Sequence, residues 1–180
     1  KDMACISKLA NAIAYDCDTG ATGLTSAIII NKEDIASFTV DAAGKVPVLS
    51  LVNGAKAYKI DTVKRSLVLS TALKVNDGAP NAFTHSATLT YTGIDSGEVF
   101  VGISRALSNG SFVILAQPVV GNVNVRGLYY GMSATAFDQN SHENGSWSTT
   151  TIETPENVIG EDNLIMSKAT YDALYAAAVG

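Results

Sequence analysis

Charged side chains are scarce in this chain: 12 Lys and Arg and 17 Asp and Glu make up 16% of its 180 residues. A surface left to Ala, Ser, Thr, Asn and Gly is either ordinary for an all-β protein or one that meets other protein. Basic residues are the scarcer sign, and Lys64–Arg65 is the only adjacent basic pair. With a net charge of −5 and a pI near 4.9, the chain is poorly equipped to hold phosphates by counterion release. A weakly acidic surface repels nucleic acid, which suits a conduit better than a binder.

Cysteine is nearly absent. Cys5 and Cys17 are too few for a disulfide framework, and no CxxC or Cys/His cluster suggests zinc. Two free thiols are the expectation; a bridge would need the first two segments to lie side by side. Long apolar runs are missing as well. Ala27–Ile30 and Ser111–Ala116 are far too short to cross a bilayer. Lys1–Ala14 has no continuous apolar core of signal-peptide length, and Met3–Ala4 could be a natural start. The expectation is a soluble, unsecreted chain with no membrane partner, with room left for a removed leader. Neither GxGxxG nor GxxxxGK[ST] occurs, so no nucleotide site is expected.

What the chain does have is β patterning. Hydrophobic residues at 47% argue for a folded chain. Its length fits a single domain, 1–180, large enough to bury about 70% of its unfolded surface. Apolar or alternating segments punctuated by Gly, Asn and Asp predict strands at Ser26–Ile30, Val46–Leu51, Lys56–Ile60, Ser66–Leu73, Phe83–Tyr91, Ser111–Leu115, Val123–Tyr130 and Ser146–Glu153. Ala36–Val40 also fits a strand, and Met3–Ala14 fits either helix or strand. Asn53–Gly54 between two apolar runs predicts a hairpin, because both residues tolerate positive φ. In Phe83–Tyr91, residues Phe83, His85, Ala87, Leu89 and Tyr91 share one face, the mark of a half-buried antiparallel strand. Val99, Phe100, Ile103, Ala106 and Leu107 form one stripe of a helix over Ser96–Leu107, capped by Ser96 and stopped by Asn109–Gly110. Ser167 caps a short final helix through Ala177. Asn76–Asn81 and Ser133–Gly145 read as long polar loops, mobile in an isolated subunit and ordered by neighbours. The expected fold is mainly β (α+β): an antiparallel sandwich or open barrel with one flanking helix and a short C-terminal helix.

No constellation carries chemistry. Asp16-x-Asp18-x-Gly20 has the look of a calcium loop, but Glu33 and Asp34 lie too far along to complete one. His85 and His142 are the only histidines, and neither has a triad partner set in the sequence. His85, on the apolar face of a strand, reads as a satisfied core or interface residue. Asn109-Gly-Ser111 and Asn144-Gly-Ser146 match glycosylation sequons and equally match turns. Phe112, Tyr129, Tyr130 and Trp147 could stack sugars or bases, but they sit on separate segments without interleaved Arg. The expectation is no enzyme, and no catalytic, cofactor or metal residue.

The order of motifs resembles that of tail proteins of bacteriophages that infect Bacteroidetes, the tail-tube kind in particular. The carrying residues are Cys17-Asp-Thr-Gly-Ala-Thr-Gly-Leu24 before an apolar strand, Asn53-Gly-Ala-Lys-Ala-Tyr58, Phe83-Thr-His85, the Val99–Leu107 helix and Val125-Arg-Gly-Leu-Tyr-Tyr-Gly131. The N-terminal segment and the closing helix depart from the pattern. The resemblance implies a β sandwich or barrel whose copies form hexameric rings. These stack into a tube in the virion tail, assembled in the host cytoplasm. Partners would be the chain itself, other tail proteins, and DNA in passage without tight binding. Two other readings remain: a carbohydrate- or surface-binding adhesin module, and a capsid decoration protein.

Overall fold

The computed structural model describes residues 8–13, 23–62, 66–93, 97–140, 142 and 147–180. Cys5, Cys17, the Asp16–Gly20 turn, Lys64–Arg65, Ser96 and Asn144–Ser146 lie outside them. Residues 8–13 form neither helix nor strand. The remaining elements are β1 (Leu24–Asn31), a single 3₁₀ turn, β2 (Ile35–Thr39), β3 (Val48–Leu51), β4 (Tyr58–Ile60), β5 (Leu67–Lys74), β6 (Ala82–Gly93) and α1 (Gly97–Asn109). They continue as β7 (Ser111–Pro118), β8 (Val123–Arg126), β9 (Met132–Gln139), β10 (Trp147–Glu153), β11 (Leu164–Met166) and α2 (Lys168–Ala177).

Every pairing between two of the described strands is antiparallel, and β7 is the junction of the main sheet. On one side it pairs with β1 from Phe112 to Pro118. On the other it meets β9 at Ser111–Phe112 and β8 at Ile114–Ala116. One arm of the sheet runs β7-β8-β11 and the other β7-β9-β10-β6-β5, while β2 and β3 form a separate ribbon. The architecture is a mainly antiparallel β sandwich or open barrel with a flanking helix and a short C-terminal helix.

The continuous apolar runs of β1 and β7 follow from their place. Successive side chains of a strand point to opposite faces, so a strand buried on both faces cannot alternate with polar residues. Ile28, Ile30, Val113 and Leu115 enter one core with Val125, Leu164, Met166 and Tyr171. Ala27, Phe112, Ile114 and Ala116 enter a second core with Leu67, Ala87, Leu89, Met132 and Ile152. Helix α2 closes the first core. Its N-cap Ser167 Oγ accepts from the Thr170 N–H, as its sequence position predicts. Buried Tyr171 reaches across to Ser26, with 2.8 Å between the hydroxyl oxygens.

Four expectations are corrected. The Asn53–Gly54 turn forms, with Gly54 at φ +87°, but the strands beside it do not pair with each other. β3 pairs with β2 and β4 with β1, because β1 offers a buried edge that a local hairpin does not. Ser133–Gly145 is not a loop throughout, since Met132–Gln139 is β9, held between β10 and the start of β7. Only Met132 and Ser133 meet β7, the rest of the strand is held by β10, and half of its residues are exposed, so no apolar alternation marks it. Val123–Tyr130 stays extended only to Arg126 before Gly127 turns the chain. Helix α1 buries less than its stripe predicts. Leu107 is buried and Phe100 half-buried, but Ile103 is exposed and Val99 is 71% exposed.

Candidate functional site

The densest polar chemistry lies where β6, the end of β8 and residues 160–163 meet. Gly127 and Gly131, at φ +77° and +75°, bracket a Leu-Tyr-Tyr turn closed by Gly131 N–H donating to Gly127 O at 2.8 Å. Left-handed backbone favours glycine, and a Cβ on Gly131 would sit 1.9 Å from Ser111 Oγ. Glu161 is fully buried and pairs by its backbone with Phe83 of β6. Its carboxylate accepts from Tyr130 N–H at 2.7 Å and Tyr129 N–H at 3.0 Å. The carboxylate thus satisfies two turn amides that packing would otherwise strand.

His85 sits beside this clamp, fully buried. Its Nδ1 accepts from Gly127 N–H at 3.1 Å, which places the ring proton on Nε2, 3.2 Å from Asn163 Oδ1. Burial first, then the Arg126 charge, lowers its pKa to about 4, against a smaller raising effect of Asn163. Burial also pulls the Arg126 guanidinium below its ordinary value. Burial, then Asp162 and Glu161, raises Tyr129. Both ring nitrogens of His85 are committed to protein partners, and neither partner is a nucleophile. The geometry braces a turn. His142 is exposed, and its N–H donates to Asn140 Oδ1 at 3.0 Å.

The sequence reading placed His85 correctly but missed Glu161, Arg126 and Asn163 as its surroundings. The available signal was the five-residue spacing from Gly127 to Gly131, a turn whose inner amides need an acceptor. Among the described residues no group of three or more His, Cys, Asp and Glu could hold a metal. No described helix is long and apolar enough to cross a membrane. Of the four aromatics considered for stacking, Phe112 is buried and Tyr129 packs edge-on against Phe38 at 5.9 Å.

The surface offers two unpartnered features instead. Strand β5 pairs only with β6 among the described strands, in unbroken register from Leu67 to Lys74. Thr90 N–H donates to Ser66 O, so by antiparallel alternation Leu67, Leu69, Thr71 and Leu73 turn their N–H and C=O groups away from β6. The usual guards of an edge are missing along it: no proline, no bulge and one charge. That charge, Lys74, is drawn aside to the carbonyls of Glu156 and Val158. The second feature is the exposed Val99–Ile103 side of α1. Comparison with protein-family models, curated proteins and solved structures yields no match to this chain.

Proposed function

We propose that this chain is a structural virion protein, the subunit of a phage tail tube. Copies join into rings, sixfold by the family resemblance, and the rings stack into a conduit for DNA in the virion tail. The observation that carries the reading is the eight-residue, unbulged edge of β5, which meets no second strand among the described ones. Such an edge is a template for pairing with another chain, and a soluble monomer ordinarily blunts it. A closed ring abolishes the free edge by symmetry. The acidic balance supports the conduit half, since few lumen cations are available to stall phosphates.

Sedimentation over a wide concentration range, with negative-stain imaging of the concentrated protein and of mixtures with other tail proteins, tests the proposal. Rings or tubes are the expected result. A chain that stays monomeric throughout defeats it, and sugar binding by that monomer favours the adhesin reading. Assembly onto shells without rings favours capsid decoration.

A further inference from the structure

We infer that residues 8–13 of one copy add as an extended strand to the free edge of β5 in a second copy; this rests on the assembly proposal above and names its contact. Lys8-Leu-Ala-Asn-Ala-Ile13 joins no sheet of its own copy among the described residues. Leu9 is 82% and Ile13 86% exposed, and the segment makes no backbone hydrogen bond among the described residues. It contains neither Pro nor Gly, so every residue can donate and accept in a ladder. Extended, its side chains alternate, with Leu9, Asn11 and Ile13 on one face and Lys8, Ala10 and Ala12 on the other. Six residues cover about 20 Å of strand, which matches most of β5.

The acceptor is shaped for such a strand. Leu69, Thr71 and Leu73 turn their backbone groups outward, and the edge ends in apolar surface, Leu73 at 62% and Val75 at 70% exposure. At that end a cleft of about 1260 Å³ opens between Leu73, Pro80 and the carboxylates of Asp41 and Asp162. Lys8 carries the complementary charge for that acidic wall, and the chain as a whole is at −5. In its own copy the segment lies along this cleft without pairing to β5. Among the described residues, each copy therefore holds a segment that joins no sheet and an edge of β5 that meets no second strand. Contacts between unlike surfaces run head to tail, and a rotation that closes gives a ring. A second copy is thus the occupant that satisfies both features at once.

The test uses the full chain. Hydrogen exchange is followed at the Leu69, Thr71 and Leu73 amides from dilute to assembling concentrations. Two variants accompany it: the double change Leu9→Asp with Ile13→Asp, and Thr71→Pro. Thr71 N–H points away from β6, so proline there removes no bond within the copy. A six-residue peptide of the Lys8–Ile13 sequence serves as competitor. Expected are at least tenfold slower exchange at the three amides on assembly, self-association weakened at least tenfold in both variants, and inhibition by the peptide. The double variant changes only exposed side chains, so it decides the matter even if Thr71→Pro disturbs folding. Rings that form with those amides still fast, or unweakened by the double variant, overturn the arm while leaving the tube proposal standing. Slow amides in dimers or open chains that never close support the arm and defeat the tube. A strictly monomeric chain overturns both.

Discussion

At the scale of single residues, His85 and the turn it braces are the most sensitive points. His85 has a folded pKa of about 4 against an unfolded value of 6.5. Between those values the unfolded chain binds the extra proton and the folded one resists it. Stability is therefore full above pH 6.5 and falls as the pH drops through 6.5 toward 4, by on the order of 3 kcal/mol in total. Protonation at Nδ1 would also set an N–H against the Gly127 N–H and bring a charge toward Arg126. Replacing His85 by Leu should remove this acid-sensitive window in urea titrations at pH 4 to 8. At pH 8 it should cost about 1–3 kcal/mol, because the Gly127 N–H loses its acceptor in the interior. An unchanged slope between pH 6.5 and 4 in the variant would show that other groups set the acid response. Glu161→Gln puts an amide donor against a turn N–H and should cost about 2–3 kcal/mol, measured the same way. Equal stability of that variant would mean the carboxylate does not brace the turn.

At the scale of elements, α1 divides between its two apolar sides. Leu107 is buried in the second core, while Phe100 is half-buried with its ring 6.1 Å from that of Tyr91. Truncating Leu107 to Ala should cost about 2–5 kcal/mol, and truncating Phe100 distinctly less than the 3–5 kcal/mol of a fully buried ring. Val99→Thr should shift the unfolding free energy of an isolated subunit by no more than about 0.5 kcal/mol. Thermal and denaturant unfolding of the three variants gives the order, and a Val99 effect as large as that of Leu107 would contradict the exposed placement. The tip between β5 and β6 behaves differently from its loop-like composition. Asn76 accounts for much of this, since its side-chain amide donates to Pro80 O and Ile159 O at 2.9 and 2.7 Å. Its backbone N–H meets Asn81 Oδ1 at 3.1 Å, so the tip is tied to the chain around residue 159 within one copy.

At the scale of the whole molecule, the prediction is that assembled protein binds free duplex DNA weakly. With 12 basic and 17 acidic residues, no more than a few phosphate contacts per copy can form without repulsion. Gel-shift or anisotropy measurements should give no saturable binding near 150 mM salt, where nonspecific DNA binders reach dissociation constants of roughly 10⁻⁴–10⁻⁶ M. Tight binding that collapses with added salt would oppose the conduit. The same measurement on the Thr71→Pro variant separates any effect of assembly from that of the single subunit.

Much of the secondary structure was legible because local physics carries it. Period-2 alternation marked β6, unbroken apolar runs marked β1 and β7, and Ser167 announced α2 by its capping hydroxyl. The helical stripe located α1, and the position of His85 on an apolar face foretold its burial. Pairing was not legible where partners are distant in the chain. The Asn53–Gly54 turn is a genuine local signal, yet β3 and β4 go to β2 and β1, because hydrogen-bonding edges are assigned by the whole sheet. Strand β9 escaped notice because its neighbours, not its own side chains, hold it extended. The clamp of Glu161 on the Gly127–Gly131 turn joins residues about thirty positions apart, which no spacing rule connects. The sequence alone determined strand-rich, weakly charged segments. Only the tertiary structure decided that β5 has β6 as its one partner among the described strands, since an edge is free only by virtue of what every other strand has already bound.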